Sequence, residues 1–292
     1  MKGIILAGGS GSRLYPITKV YSKQLVIIYD KPLIYYPLAV LMLGGIKEIL
    51  IISNEDTIPF YQKLFGDGNK LGLSISYKIQ TAPNGIAESF ILGKEFIGND
   101  SVTLVLGDNI FYGYLDFFYG AIADTSPGAT IFGYRVTDPE RYGIVHFNSE
   151  GKALSIEEKP EKPKSNFAVP GLYVYDNQVI EISENLKPSP RGELEITDVN
   201  VEYLKLQQLK VKKIGRGVAW LDTGTPEALL QASNFFGVIE ERQGMKIACI
   251  EEIAFIKKFI SEKQFQEVIE SMPKSMYRSY LEKVLQEQQE EN

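Results

Sequence analysis

Short apolar strand signals alternate with helix-length stretches through the first third of the chain, and this alternation limits the fold more than any other feature. Runs rich in Ile, Val and Leu lie at residues 2–7, 48–53, 74–79 and 102–106. The intervening stretches that are long enough for helices are 32–44, 58–65 and 86–96. Strands that are apolar along their whole length need cover on both faces, which is typical of parallel sheets flanked by helices. The sequence therefore predicts an α/β fold with a parallel central sheet.

The second half of the chain carries strand signals with fewer helices between them. Residues 129–135, 143–147 and 169–175 predict strands that join the same sheet in antiparallel orientation. Residues 158–164 are too rich in Pro and charge for a helix or a strand, and predict a loop. After Thr225 the sequence predicts helices at 226–243, 251–259, 262–271 and 277–288. We predict a single domain with an α/β core over 1–225 and a helical C-terminal part over 226–292 packed on it.

Composition excludes several function classes. With one His and one Cys in 292 residues, the chain cannot build a zinc site of His and Cys ligands, a Ser-His triad or an intramolecular disulfide. Its net charge of -6 argues against a nucleic-acid partner, because phosphate backbones attract basic surfaces. No apolar run approaches the ~20 residues of a membrane span. A strand signal begins at Lys2, which leaves no room for a signal peptide, so we expect a cytoplasmic location and no membrane association.

A glycine-rich turn, Gly-Gly-Ser-Gly-Ser-Arg-Leu at residues 8–14, directly follows the first predicted strand. Such a turn brings backbone N–H groups close enough to hold phosphates. It is not a dinucleotide fingerprint, since no third glycine opens a helix, and the chain contains no Gly-Lys-Ser/Thr of a P-loop. Arg13 is placed to clamp a triphosphate or a leaving pyrophosphate, and Lys23 supplies a second cation nearby. The alternatives are a tight turn with a surface arginine and a solvated lysine.

Two carboxylates follow apolar strand signals that are far apart in the sequence. Asp108 comes after Val-Thr-Leu-Val-Leu-Gly, and Asp222 comes after Ala-Trp-Leu. The carboxyl ends of strands form the edge at which open α/β sheets bind ligands. Mg²⁺ takes one or two protein carboxylates together with phosphate oxygens, so the pair predicts a magnesium site. For either residue alone, a turn or helix-capping role is the alternative.

Charged residues farther along the chain give weaker signals. Glu158 could accept a sugar hydroxyl beside a phosphate-binding Lys159, although the segment also fits a solvated charge run. Arg191 precedes a predicted helix and could close on a sugar phosphate. Glu193 and Glu195 could instead be favourable charges in the first turn of that helix.

These motifs resemble those of the sugar nucleotidylyltransferases, most strongly the glucose-1-phosphate thymidylyltransferase branch. The resemblance covers essentially the whole chain and is carried by residues 8–16, 22–24, 29–32, 34–37, 107–109, 157–160, 191–198, 220–225, 240–244 and 251–255. The glycine-rich turn is shared by all sugar nucleotidylyltransferases. The strings Arg-Gly-Glu-Leu-Glu-Ile-Thr-Asp at 191–198 and Trp-Leu-Asp-Thr-Gly at 220–224 are much more specific to this branch.

The resemblance implies a Rossmann-like nucleotide-sugar transferase fold, with a mixed and mostly parallel sheet flanked by helices and a helical C-terminal extension. It also implies in-line attack of glucose 1-phosphate on the α-phosphorus of dTTP, with Arg13 and Lys23 as catalytic residues and Mg²⁺ on Asp108 and Asp222. The implied nucleotide-binding residues are Leu6, Gly8, Gly9, Ser10, Gly11, Ser12, Arg13, Gln24, Gln80, Pro83 and Gly85. The implied sugar-phosphate residues are Asn109, Gly143, Glu158, Lys159, Val169 and Arg191.

The resemblance further implies a homotetramer in which dTDP-rhamnose, the pathway end product, binds a feedback site at a subunit contact. The chain departs from the family pattern at Val20 and Ile27, which flank Lys23, at Tyr114 in place of a His, and at Pro170 in place of a Thr. Two alternatives stay open. One is an enzyme of the same class that uses UTP or another sugar 1-phosphate. The other is a non-catalytic module, which would be expected to lack Lys23 or one of the two carboxylates.

Overall fold

The computed structural model describes residues 1–9 and 11–291. The strands in these residues are β1 (Lys2–Leu6), β2 (Ile27–Ile28), β3 (Lys31–Pro32), β4 (Glu48–Ser53), β5 (Ser74–Ile79), β6 (Val102–Leu106), β7 (Asn109–Tyr112), β8 (Ala129–Arg135), β9 (Gly143–Phe147), β10 (Ala153–Glu158), β11 (Phe167–Ala168), β12 (Leu172–Tyr175), β13 (Leu209–Lys213) and β14 (Ala219–Asp222). The helices are α1 (Tyr35–Leu43), α2 (Ile58–Phe65), α3 (Glu88–Leu92), α4 (Lys94–Ile97), α5 (Asp116–Ile122), α6 (Gln178–Asn185), α7 (Ile196–Lys205), α8 (Pro226–Gln243), α9 (Ile250–Ile256), α10 (Glu262–Glu270) and α11 (Met276–Glu291). None of the helices in the described residues has the length and apolar character needed to cross a bilayer.

A mixed sheet organises the molecule, in the order β5-β4-β1-β6-β12-β8-β11-β9-β10, with β13 also pairing β8. Strands β1, β4, β5 and β6 pair in parallel, which confirms the predicted parallel half. Strands β8 to β12 pair in antiparallel orientation, as expected for the second half. The orientation of β13 differs from that expectation, because it runs parallel to β8.

Two predicted elements are interrupted for identifiable reasons. The strand expected over 169–175 begins only at Leu172, as β12, because Pro170 has no N–H to donate and the N–H of Gly171 donates to the side chain of Asn109 instead of to a strand. The helix expected over 86–96 is divided into α3 and α4 at Gly93. Among the segment 158–164, Glu158 ends β10 and the rest is neither helix nor strand, as predicted.

A short two-stranded sheet, β7 with β14, lies beyond the carboxyl end of β6. Its antiparallel register places Asp222 opposite Asn109, which directly follows Asp108. The neighbouring Thr223 is fully buried, and both its N–H and its hydroxyl donate to the carbonyl oxygen of Asp108, at 3.3 and 2.8 Å. These bonds fix the backbones of the two acidic residues against each other.

A partly buried group of four charges joins the C-terminal helices to the hairpin formed by β2 and β3. Lys31, which is 4% exposed, donates to Glu240 of α8 at 3.2 Å and also to Asp30. Lys246, beyond the end of α8, donates to Glu240 at 3.2 Å and to Asp30 as well. Two lysines thus neutralise two carboxylates, as burial of charge requires. The helical C-terminal part is therefore anchored in the core by ionic as well as apolar contacts.

Candidate active site

The glycine-rich turn directs one arginine towards the carboxylates. Residues Ser12–Leu14 form a single turn of 3₁₀ helix, in which Leu14 is buried and Arg13 is exposed. The guanidinium of Arg13 lies beside Gly224, where a Cβ would come within 3.2 Å of its Nη1. The absence of a side chain at Gly224 thus leaves room for Arg13 next to Asp222. Ser10, predicted to bind the nucleotide, lies outside the described residues.

Lys23 and Asp108 form an ion pair at the carboxyl edge of the sheet. The Lys23 side chain is buried, and its Nζ donates to Oδ2 of Asp108 at 2.6 Å. Burial by itself raises the pKa of Asp108, but the charge and hydrogen bond of Lys23, with a further bond from Asn109, hold that pKa below its usual value. Asp108 therefore stays ionised in the site.

The negative charge of Asp222 is less well balanced by nearby cations than that of Asp108. Its closest cation is Arg141, with Nη2 at 3.7 Å from Oδ2, and burial together with the charge of Asp108 raises its pKa above the usual value. Two carboxylates that repel each other in one cavity create a demand for a cation between them. Within the described part of the chain, no cluster of three or more Asp, Glu, His or Cys residues could hold a metal by itself. The pair fits Mg²⁺, which takes its remaining ligands from phosphate and water.

A cavity of about 220 Å³ lies over the glycine-rich turn. It is lined by seven of the predicted nucleotide-binding residues, namely Leu6, Gly8, Gly9, Gln24, Gln80, Pro83 and Gly85. The Nε2 group of Gln80 donates to Glu88 at 2.7 Å, and its Oε1 atom faces Gly8, where a Cβ would approach it to 3.0 Å. Of the other predicted nucleotide residues, Arg13 faces the neighbouring cavity, and Gly11 and Ser12 are not among the lining residues of either.

That neighbouring cavity measures about 450 Å³ and shares Asp108, Ile86, Leu106 and Glu193 with the first. All six residues predicted for the sugar phosphate line it, namely Asn109, Gly143, Glu158, Lys159, Val169 and Arg191. Arg13, Asp108 and Asp222 line it too. The structure therefore brings the two predicted binding regions together at Asp108.

Glu158 and Arg191 are held by partners within the second cavity. Glu158 accepts a hydrogen bond from the hydroxyl of Thr197 at 2.6 Å. A Cβ at Gly143 would lie 3.2 Å from both of these side chains, so the glycine keeps the space above Glu158 open. The guanidinium of Arg191 binds both oxygens of Glu195 at 2.8 Å. Glu195 occupies the N-cap position of α7 in extended conformation, without a capping hydrogen bond from its side chain, so it precedes the first turn in which a favourable charge was suggested.

Sequence reasoning missed several residues of this cavity. Arg141, Tyr142, Thr197 and Trp220 all line it. Arg141 and Tyr142 directly precede Gly143, which was predicted, so the cluster Arg-Tyr-Gly was the available signal. Thr197 lies in the first turn of α7, and only the packing of that helix beneath β10 brings it to Glu158.

Known proteins of similar sequence and structure share this architecture. Residues 2–238 match the family model described as Nucleotidyl transferase. Glucose-1-phosphate thymidylyltransferases of Neisseria meningitidis and Mycobacterium tuberculosis are 53% and 52% identical to the chain, each comparison covering 98% of it and 99% of the relative. A protein of Bacillus anthracis solved in complex with sucrose is 41% identical, with a TM-score of 0.75 over 80% of this chain and 94% of that one. A UDP-glucose pyrophosphorylase at 24% identity and a TM-score of 0.70, over 82% of this chain and 98% of that one, shares the fold.

The two sequence relatives extend over nearly the full length of the chain and confirm the resemblance in sequence, and the solved structures, which cover 80% and 82% of the chain, confirm the predicted fold. The cavities, the glycine-rich turn and the two carboxylates all lie inside the matched residues. The chain is a nucleotidyl transferase, and it belongs to the glucose-1-phosphate thymidylyltransferase branch of that family.

Proposed function

We propose that the chain transfers the dTMP group of dTTP to α-D-glucose 1-phosphate in the presence of Mg²⁺, forming dTDP-glucose and releasing pyrophosphate. The observation that carries this proposal is the meeting of the two cavities at Asp108, with Arg13, Lys23, Lys159 and Arg191 around them. Two polyanionic substrates need cations around them, and the chain concentrates cations here although its net charge is -6. The names of the relatives agree with this reaction.

The reaction needs alignment and charge neutralisation rather than a protein nucleophile. A phosphate oxygen of the sugar phosphate forms a bond to the α-phosphorus, and the bond from that phosphorus to the bridging oxygen breaks as pyrophosphate leaves with the electron pair. The attacking oxygen is already ionised, so no residue has to remove a proton. When bound to Asp108 and Asp222, Mg²⁺ supplies further neutralisation of phosphate charge.

Before substrates bind, carboxylates of the protein form ion pairs with two of the cations that we assign to substrate binding. Lys23 rests on Asp108 and Arg191 on Glu195, each with a shortest N–O distance below 2.9 Å. We assign Arg13 and Lys23 to the triphosphate, and Lys159 and Arg191 to the sugar phosphate. Glu158, oriented by Thr197, would accept hydrogen bonds from sugar hydroxyls.

Pyrophosphate release measured over a matrix of nucleoside triphosphates and sugar 1-phosphates, with and without Mg²⁺, tests this function. The highest kcat/KM is expected for dTTP with glucose 1-phosphate. A higher kcat/KM with UTP or with another sugar 1-phosphate would instead identify an enzyme of the same class with that specificity. No release of pyrophosphate with any pair of substrates would indicate a non-catalytic binding module.

Replacing Lys23 with Ala is expected to lower kcat by about a hundredfold, because a buried cation is removed from the position where charge develops on the phosphates. The KM for dTTP should change much less. Steady-state kinetics with Lys19→Ala, an exposed lysine four residues away, provides the control. A change confined to KM would mean that Lys23 binds only ground-state phosphate.

Gln80→Ala is expected to reduce the preference for dTTP over dCTP by about tenfold, the effect of losing one or two hydrogen bonds to the base. Asn84→Ala is the matched control, because Asn84 donates to the same Glu88 at 2.7 Å without lining the cavity. The ratio of kcat/KM for the two nucleotides is the measurement. An unchanged ratio in Gln80→Ala would remove this residue from the base pocket.

We also propose a homotetramer that acts in the cytoplasm at the first step towards dTDP-rhamnose for cell-surface polysaccharide, with feedback by that end product. A third cavity, of about 530 Å³, is the candidate feedback site. Its lining includes Tyr114, Met245 and Ile256, which are 85%, 56% and 57% exposed. Exposed apolar side chains grouped in this way favour a subunit contact there. Sedimentation analysis and inhibition of pyrophosphate release by dTDP-rhamnose test these two assignments.

A further inference from the structure

Asn109 lies between the only tryptophan of the chain and the Asp108 carboxylate. It begins β7, and its side chain is 4% exposed. Its Oδ1 atom accepts two hydrogen bonds, from the indole Nε1 of Trp220 at 2.6 Å and from the backbone N–H of Gly171 at 2.9 Å. Its Nδ2 atom donates to Oδ1 of Asp108 at 2.9 Å.

The orientation of this amide is determined by its two donors. An indole N–H and a backbone N–H can only donate, so the atom facing both must be the oxygen. The NH₂ group is therefore turned towards Asp108, whose other oxygen accepts from Lys23. Reversing the amide would leave two buried donors facing an NH₂ group, which costs several times the net gain of an ordinary hydrogen bond.

The same contacts limit what Asn109 can do for a sugar. Its oxygen already has two donors, so it has no lone pair left for a sugar hydroxyl. Its nitrogen has one N–H left after the bond to Asp108. The sequence resemblance alone gave it only a sugar-binding role.

We propose that Asn109 is a positioning residue whose amide, held by Trp220 and Gly171, fixes the orientation of the Asp108 carboxylate. This inference rests on the proposed function for its kinetic consequence. The inference also gives Trp220 a role that a purely apolar aromatic ring could not perform, because its indole N–H donates a buried hydrogen bond to Asn109.

Steady-state kinetics of Trp220→Phe, Asn109→Ala and the double variant test the proposal. Trp220→Phe keeps an aromatic ring beside Tyr142 and Tyr134, whose centroids lie 5.1 and 5.5 Å away, but removes the donor. We expect kcat to fall about tenfold with the KM for glucose 1-phosphate changed less than about threefold. The double variant should be no slower than Asn109→Ala, because both changes break one chain of bonds. Multiplied losses, or a loss in KM alone, would overturn the proposal.

Hydrogen exchange of the indole N–H gives a second readout that needs no activity. The chain has one Trp, so a ¹H–¹⁵N spectrum shows one indole signal. Its exchange should be slow in the wild type and in Tyr134→Phe, a control that removes the bond from this hydroxyl to the carbonyl of Val218 at 3.3 Å. It should be at least about tenfold faster in Asn109→Ala. Equal rates in wild type and Asn109→Ala would refute the hydrogen-bond chain. A protected indole in a protein that releases no pyrophosphate would instead refute the proposed function.

Discussion

Asp222→Asn is expected to lower kcat by about a hundredfold or more, the effect of losing roughly 3 kcal/mol of charge stabilisation from a metal ligand. The ligand-free protein should nevertheless melt at the same or a higher temperature. Asp222 is charged, largely buried and repelled by Asp108, with its closest cation, Arg141, at 3.7 Å. A neutral amide of the same shape removes that unfavourable charge.

Asp108→Asn provides the comparison for this result. The same loss of kcat is expected, but the melting temperature should fall, because Lys23 would be left buried without a counter-ion. Pyrophosphate release and thermal unfolding of both variants, without ligands, are the measurements. Near-wild-type turnover in either variant would refute its assignment to the metal. Equal losses of stability in the two variants would contradict the conclusion that Asp108 has a close counter-ion and Asp222 does not.

Gly85→Ala is expected to destabilise the fold by about 3 kcal/mol or more and to close the nucleotide cavity. Gly85 has φ of +108°, and a Cβ there would lie 2.3 Å from the carbonyl oxygen and 2.5 Å from the nitrogen of Leu194. The Leu194 carbonyl accepts a hydrogen bond from the N–H of Ala87, and its N–H donates to the carbonyl of Asn84. The two backbone segments therefore have to move apart to admit the methyl group. Urea unfolding gives the free energy, and dTTP binding reports on the cavity.

Gly151→Ala is the matched control for Gly85→Ala. Gly151 has φ of +80°, but nothing lies within 4 Å of a Cβ built there. Its replacement should cost only the backbone strain of about 1–2 kcal/mol and leave dTTP binding unchanged. Similar losses in the two variants would show that strain, and not the contact with Leu194, accounts for the effect.

The parallel half of the sheet could be predicted closely because its signal is local. Strands β4, β5 and β6 begin and end at the predicted residues, since apolar runs bounded by polar residues mark buried strands. Strand β13 was missed, because three of its five residues are lysines and its partner β8 is far away in the chain. Four strands and the helices α6 and α7 lie between the two strands in the sequence, so no local pattern specifies that they pair in parallel.

The candidate site divides in the same way. Glycines in the turn and acids at strand ends are local signals, and Gly8, Gly9, Asp108 and Asp222 line the two cavities, whereas Gly11 does not. Pairing Lys23 with Asp108, or Thr197 with Glu158, depends on distances between elements and could not be predicted. The roles of all these residues stay predictions until the variants are measured.

The ionic group beneath the β2–β3 hairpin bears on how the two ends of the chain can diverge. A C-terminal segment taken from a relative would place new residues at 240 and 246 against Asp30 and Lys31, and the loss of Glu240 would leave the buried Lys31 with fewer counter-ions. The backbone of Gln24, beside Lys23, bonds to that of Ile34 just beyond the same hairpin. We therefore expect substitutions at positions 30, 31, 240 and 246 to be tolerated best in compensating combinations, which would couple the C-terminal helices to the segment that carries Lys23.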